Sequence, residues 1–223
     1  MKNTTPEMTL DENPSEKSMP EKKPSRRVLL FYSSRFGHSR KIAGVVADEI
    51  RNSGLAVDVE ELRHGATIDA QSYVGAGFIV SVRYGFFTSA LYETIAAHKA
   101  WLDATPTLLM TVSLTARKPE KRDPAKHSYT RRLLKRTNWA PTRVDVVAGA
   151  LEYPRYGAFD RACIRLIMLI TGGEADGCSE IDYTDWDGVR DTARSYAKEV
   201  RAAEDRTASG LRNQETEDRR QRS

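Results

Sequence analysis

The amino-acid sequence predicts an α/β fold: a five-stranded parallel sheet, order 2-1-3-4-5, with helices on both faces and a long insertion in the last strand. Three observations lead there. Strand-length apolar runs alternate with helix-length amphipathic stretches from residue 28 to residue 202, the pattern of parallel strands joined by crossover helices. The run Gly77–Val82 is almost continuously apolar, as suits a strand covered on both faces. The first strand feeds directly into a hydroxyl-rich turn and then a helix, the arrangement in which doubly wound sheets hold ligands beyond the carboxyl ends of their strands.

Each element has a local reason. Residues 1–25 carry Pro6, Pro14, Pro20 and Pro24 with many charges, and read as a disordered leader. The leader lacks an apolar central stretch and does not read as a secretory signal. Strand one is Val28–Tyr32. The helix from Ser39 carries Ile42, Val45, Val46 and Ile50 at helical spacing and stops at Asn52-Ser53-Gly54. Further strands follow at 57–62 and 77–82, a helix at 89–101, a strand at 107–112 entered through Pro106, a helix at 128–137 and a fifth strand at 143–151. The segment 153–180 is read as an insertion splitting that last strand. Its centre, Ala158–Thr171, places Phe159, Cys163, Ile164, Ile167, Met168 and Ile170 on one stripe among Arg155, Arg161 and Arg165. Two readings of this stretch stay open: an extra core helix, or an interfacial helix that rests on a membrane or covers a ligand. Ile181-Asp182-Tyr183 returns the chain to a final helix at 186–202, and 203–223 read as a loose polar tail. One domain, 26–202, results.

Composition narrows the function classes. The chain carries 35 Lys and Arg against 31 Asp and Glu, a net charge of +4. The excess gathers between 117 and 136, where Arg117, Lys118, Lys121, Arg122, Lys126, Arg131, Arg132, Lys135 and Arg136 face only Glu120 and Asp123. Such a block is a solvated face, or it meets anionic lipid, nucleic acid or a carboxylate-bearing substrate. It argues against a simple acidic electron shuttle, and no nucleic-acid-binding motif accompanies it. Cys163 and Cys178 have no metal-ligand spacing and suggest no disulfide scaffold, which fits a reducing cytoplasm. The longest apolar run near Cys163, Leu166–Ile170, is far shorter than a membrane span.

The candidate site is the turn Ser33-Ser34-Arg35-Phe36-Gly37-His38-Ser39. The first amides of the helix that follows lack internal partners, and the helix dipole adds partial positive charge there. Ser33, Ser34 and Ser39 add hydroxyls, and Gly37 lets the backbone wrap an anion. Arg35 adds charge or faces solvent. Walker A and Gly-x-Gly-x-x-Gly patterns are both absent. A hydroxyl-built loop with one glycine resembles the phosphate loop of flavodoxins, and a plain helix cap is the competing reading. The flavodoxin-like strand order brings this turn, Arg83-Tyr84-Gly85 after strand three and Ser113-Leu114-Thr115-Ala116 after strand four to one edge, which favours the phosphate reading.

The chain closely resembles the flavodoxin-like, quinone-dependent protoporphyrinogen dehydrogenases of bacterial haem biosynthesis. The resemblance rests on Ser81-Val82-Arg83-Tyr84-Gly85, Ala116-Arg117-Lys118-Pro119-Glu120-Lys121-Arg122, Gly149 through Tyr156, Leu166-Ile167-Met168 leading to Thr171-Gly172-Gly173-Glu174, and Tyr183-Thr184-Asp185-Trp186. It covers about residues 27–200. Phe36 departs from it, standing where the family often has a polar residue. The resemblance implies non-covalent FMN, with Ser33, Ser34, Arg35, Gly37, His38 and Ser39 on the phosphate. It implies that Ser81, Val82, Arg83, Tyr84 and Gly85, with Ser113, Leu114, Thr115, Ala116 and Arg117, flank the ring, and Tyr84 is the stacking candidate. The reaction implied is oxidation of protoporphyrinogen IX to protoporphyrin IX, with electrons passed to menaquinone or ubiquinone. The chemistry lies on the flavin, so no catalytic side chain and no metal are expected. Lys118, Lys121, Arg122 and Arg155 are the candidates for the substrate carboxylates. His38 is assigned to the phosphate turn, and His127 has no visible partner in sequence. The implied location is cytoplasmic, peripheral on the inner membrane, with self-association suggested by the family. The alternatives are a general electron carrier or an NAD(P)H quinone reductase.

Overall fold

The structure, a computed structural model, describes residues 27–155, 157–172, 176, 178 and 180–221. The leader 1–25, Tyr156, Gly173 and Glu174 lie outside the described residues, as do the side chains of Phe159, Ile167 and Ile170.

In chain order the elements are β1 (Arg27–Ser33), α1 (His38–Asn52), β2 (Ala56–Glu61), β3 (Gly75–Ser81), α2 (Ser89–Ala104), β4 (Thr107–Ser113), α3 (Ser128–Thr137), β5 (Arg143–Ala148), β6 (Ala150–Glu152), α4 (Ala158–Thr171), β7 (Glu180–Asp182) and α5 (Trp186–Gln221). The main sheet has the order β2-β1-β3-β4-β5, and each neighbouring pair is parallel. This is the expected flavodoxin-like order.

Strand periodicity sorts the core into two layers. Val28 and Leu30 of β1 face one layer with Ile42, Val46 and Ile50 of α1 and Val189, Tyr196 and Val200 of α5. Leu29 and Phe31 face the other, with Leu91 and Ile95 of α2, Leu133 of α3, and Trp139. Phe31 stacks on Phe78 at 5.5 Å, and Trp139 meets Phe78 edge-on at 5.4 Å, which fixes the middle of the second layer.

The insertion leaves from the carboxyl end of the sheet. β5 ends at Ala148, and beyond Gly149 the chain forms β6, whose Leu151 pairs with Ile181 of the antiparallel strand β7. Leu151, Tyr153 and Met168 are fully buried in a small core of their own, joined by Ile164, Ile181 and Tyr183. Phe36 and Leu114 pack on the same core. The insertion is therefore bolted to the loop after β1 and the loop after β4. This explains Phe36, whose ring is an anchor for the insertion. Of the two readings of α4, the helix supplies core through Met168 and Ile164, yet it leaves Leu166 58% and Leu169 65% exposed. The stretch expected as a loose tail continues α5 to Gln221, well beyond Ala202. Residues 205–210 of that extension are exposed, so no apolar face marks it in the sequence.

Candidate functional site

Three of the five parallel strands end in serine at the same edge: Ser33, Ser81 and Ser113. Ser81 Oγ donates to the Ser33 carbonyl at 3.1 Å, which ties the end of β3 to the end of β1. The register places Ser33 beside Val80 and Ser81 beside Val112.

The turn after β1 has the geometry of an oxyanion cradle. Gly37 sits at φ 93°, in the left-handed region where a Cβ is strained. Ser34 Oγ accepts from the amides of Gly37 at 3.0 Å and Ser39 at 3.2 Å. One oxygen thus takes two amides at the start of α1, where a phosphate oxygen would sit. This donor set fits a phosphate, and the Ser34 hydroxyl stands in for it. Arg155 of the insertion donates to the Phe36 carbonyl at 3.1 Å and braces the turn from outside. A cavity of about 430 Å³, lined in part by Gly37, His38, Lys41, Leu151, Arg155 and Asp182, lies between the turn and the β6–β7 pair.

The His38 imidazole, expected at the phosphate turn, is bonded on the side of α5. Its Nε2 meets Thr184 Oγ1 at 2.7 Å, and Thr184 in turn donates to the Ala148 carbonyl at 2.9 Å. Thr184 has one proton to give, so it accepts from His38 Nε2–H. The ring also meets Trp186 edge-on at 5.9 Å. His38 therefore joins the start of α1 to the start of α5. Burial, with Lys41 nearby, holds its pKa below the ordinary value against the pull of Asp182 and Glu152.

The loop after β3 is a tight hairpin. Arg83 N–H donates to the Phe86 carbonyl at 2.8 Å, and Phe86 N–H returns the bond at 2.9 Å. Its two central residues, Tyr84 (φ 49°) and Gly85 (φ 87°), are both left-handed. Tyr84 is 40% exposed and Phe86 68% exposed, an aromatic tip beside the cradle. Val82 N–H donates to the Val112 carbonyl at 2.8 Å and extends the sheet to the base of the hairpin.

The loop after β4 opens as a 3-10 turn, Leu114–Arg117, capped by Ser113 Oγ, which accepts from Thr115 N–H at 3.3 Å. Ala116 is buried, and its carbonyl accepts from Arg122 Nε at 3.0 Å. Arg117 donates back to the Leu114 carbonyl at 3.3 Å. Of the four substrate candidates, Arg122 and Arg155 are thus engaged with loop carbonyls, whereas Lys118 and Lys121 are exposed. Arg131, Arg132 and Lys135 lie on α3 with Pro124, Ala125 and Val144, along a separate open groove.

His127 does have partners. It is 2% exposed, and its Nδ1 meets Thr130 Oγ1 at 2.7 Å. Thr130 Oγ1 meets Thr111 Oγ1 of β4 at 2.7 Å. On the other side, His127 Nε2 lies 3.4 Å from Thr115 Oγ1, which meets Ser113 Oγ at 2.9 Å. A chain of hydroxyls and one imidazole thus underlies the loop after β4. Sequence reasoning missed it because its members come from β4, the loop and α3. Burial, with Lys121 nearby, lowers the His127 pKa. Between the lowered folded value and the ordinary value of about 6.5 the unfolded chain binds more protons, so this contribution is complete above pH 6.5 and declines as pH falls below it. The melting temperature of wild type is therefore expected to drop on acidification from pH 7 to pH 5. His127→Gln should show a shallower drop, by at most about 1.4 kcal/mol per pH unit. Parallel pH–melting curves for the two proteins would contradict this.

The second residue missed from sequence is Asp160, in the first turn of α4 and 5% exposed. Arg83 Nη2 donates to its Oδ1 at 2.8 Å, the Tyr84 hydroxyl donates to the same oxygen, and Arg35 Nη2 lies 3.2 Å from Oδ2. The bond from Tyr84, helped by Arg83, holds the carboxyl below its usual range against the opposing effect of burial.

The family described as Flavodoxin domain matches residues 29–177. A protein of Escherichia coli strain K12 named protoporphyrinogen IX dehydrogenase (quinone) is 40% identical over 171 residues, covering 77% of this chain and 94% of that protein. One of the same name from Leishmania major is 38% identical over 174 residues, covering 78% of this chain and 75% of that protein. Among solved structures, a Streptococcus pneumonia TIGR4 flavodoxin is 18% identical with a TM-score of 0.45, covering 79% of this chain and 98% of that one.

Proposed function

This chain belongs to the flavodoxin-domain family, among the relatives named protoporphyrinogen IX dehydrogenase (quinone), and from that premise we propose that it oxidises protoporphyrinogen IX to protoporphyrin IX on a bound FMN, with a quinone as acceptor. The observation that carries the reading is the Ser34 cradle. It offers two convergent amides at a helix N-terminus, at the switch point of the sheet. When bound, FMN supplies the two-electron redox chemistry.

The chain's own residues bind, orient and exclude water. The amides of Gly37 and Ser39, with the hydroxyls of Ser33, Ser34 and Ser39, hold the phosphate. The hairpin 83–86 and the turn 113–117 flank the ring, and Tyr84 offers it an aromatic face. The His127 chain keeps the second of these loops in place. Lys118 and Lys121 remain free to meet a carboxylate at the mouth of the site.

Anaerobic mixing of the FMN-loaded protein with protoporphyrinogen IX and a quinone tests the reading. Porphyrin fluorescence should rise only when protein, FMN and quinone are all present. Reduction driven by NAD(P)H, with no porphyrin formed, would instead identify a quinone reductase.

The acceptor, menaquinone or ubiquinone, lies in the bilayer, so the protein must dock there. No helix among the described residues is long and apolar enough to cross a membrane. α4, with Leu166 and Leu169 exposed and Arg161 and Arg165 on the same helix, is the docking element we propose, at the cytoplasmic face of the inner membrane. Wild type should co-sediment with anionic vesicles, and L166E/L169E should stay in the supernatant. Equal recovery of the two in the pellet would rule α4 out.

A further inference from the structure

We propose that Arg83, Arg35 and the Tyr84 hydroxyl form a carboxylate subsite, which Asp160 fills in the resting protein and a carboxylate of the substrate takes over. The proposal rests on the porphyrinogen reading and deepens it.

The donors and the acceptor belong to separable parts. Arg83 and Tyr84 stand on the hairpin after β3, which its own Arg83–Phe86 backbone pair closes, and Arg35 stands on the turn after β1. The backbone that carries the three donors is therefore set without Asp160. The acceptor comes from α4, in the insertion. α4 is already seated by Met168 and Ile164 on the buried Leu151 and Tyr153. A buried carboxylate is an expensive means of seating a helix, because its desolvation must be offset by partners. Here the partners are one hydroxyl and two guanidiniums, the donor set expected of a site built for a carboxylate.

The arginines are also open to a visitor. Their side chains are 51% exposed for Arg35 and 41% for Arg83, whereas that of Asp160 is 7% exposed. Two cations around one anion leave a net positive charge for an incoming oxyanion. Tyr84 holds a left-handed backbone that is unfavourable for a tyrosine, a strain that recurs at ligand sites. The exposed ring of Phe86 adds apolar surface beside the charged pocket. A porphyrinogen has the matching character, an apolar macrocycle bearing two propionates. Once displaced, Asp160 can turn to the amides at the start of its own helix, which lack intrahelical partners.

A tethered carboxylate competes at high effective concentration, so the resting contact weakens substrate binding. Removing its charge should tighten binding of a diacid and leave a diester unchanged. The test uses FMN-loaded protein, with protoporphyrin IX and its dimethyl ester as fluorescent probes. Asp160→Asn should bind the diacid on the order of tenfold more tightly than wild type, and Arg83→Gln on the order of tenfold more weakly. Neither variant should change the affinity for the ester. Diacid affinity equal to wild type in both variants, or an equal loss for diacid and ester in Asp160→Asn, would overturn the proposal. FMN titration of the apoprotein separates the other source of an oxyanion. Tighter FMN binding in Asp160→Asn with unchanged diacid affinity would assign the subsite to the flavin phosphate and overturn the proposal too. Should Asp160→Asn fail to fold, Arg83→Gln alone decides, through its loss of diacid over ester. Turnover of protoporphyrinogen by wild type tests the parent reading separately. Turnover with no diacid-specific effect in either variant refutes the subsite alone.

Discussion

Ser34→Asp is expected to strip the protein of its flavin while leaving it folded. Ser34 Oγ already accepts from the Gly37 and Ser39 amides. An aspartate there places a permanent carboxylate on the same donors. A negative charge at a helix N-terminus is favourable by about 0.3–1 kcal/mol, so the apoprotein should be at least as stable as wild type. The phosphate meets the opposite situation, because its donors are occupied by a like charge. Two unit charges about 4 Å apart repel by about 4 kcal/mol at an effective dielectric constant of about 20. Since every 1.4 kcal/mol or so is a tenfold change, the Kd for FMN should rise at least about a hundredfold. Thermal melting of the apoprotein and fluorescence titration with FMN read the two effects. A variant that melts normally and binds FMN like wild type would mean that the turn is only a helix cap.

Tyr196→Ala carries the largest stability effect. Tyr196 is fully buried on α5, and its hydroxyl lies 3.0 Å from both the Ala76 and Pro106 carbonyls. It pins α5 to the start of β3 and the entry to β4. Burial pushes its phenol far up, so it stays a neutral donor. Truncating a buried aromatic side chain costs about 3–5 kcal/mol, a large part of the roughly 5–15 kcal/mol that holds a domain together. Melting should fall by on the order of 10 °C. Tyr196→Phe keeps the ring and should cost only about 1 kcal/mol. The neighbouring Gly75 sharpens the test. A Cβ there would lie 2.7 Å from the Tyr196 oxygen, 3.1 Å from the Pro106 carbonyl oxygen and 3.2 Å from Val200 Cγ2. Gly75→Ala should therefore destabilise wild type, and less so in the Tyr196→Ala background. Additive effects of the two substitutions would show that Tyr196 does not fill that space.

What could be read from sequence was local. The five parallel strands lie within two residues of their expected starts, because apolar runs bounded by glycine, proline and helix caps are contiguous signals. The turn after β1 stood out as a candidate site for the same reason, since its hydroxyls, glycine and helix start fall within seven successive positions. The end of the last strand was not. Gly149 turns the chain out of β5 at Ala148, and β6 then pairs with a strand about thirty residues on, a non-local choice that alternation does not encode. His127 looked idle because its partners Thr115 and Thr130, and Thr111 behind Thr130, come from three places in the fold. Asp160 drew no attention in sequence, because its partners sit in two loops more than seventy residues away. Residues 205–210 of the extended α5 are exposed, so no apolar period marks them in the sequence.

If this sheet edge grips FMN by its phosphate, as proposed, the phosphate should decide the affinity. Titration of the apoprotein with FMN and with riboflavin, followed by quenching of flavin fluorescence, tests it most directly. One FMN should bind per chain, with riboflavin at least about a hundredfold weaker, since it lacks the group proposed to meet the Gly37 and Ser39 amides. Equal affinity for the two flavins, or quenching by neither, would contradict it.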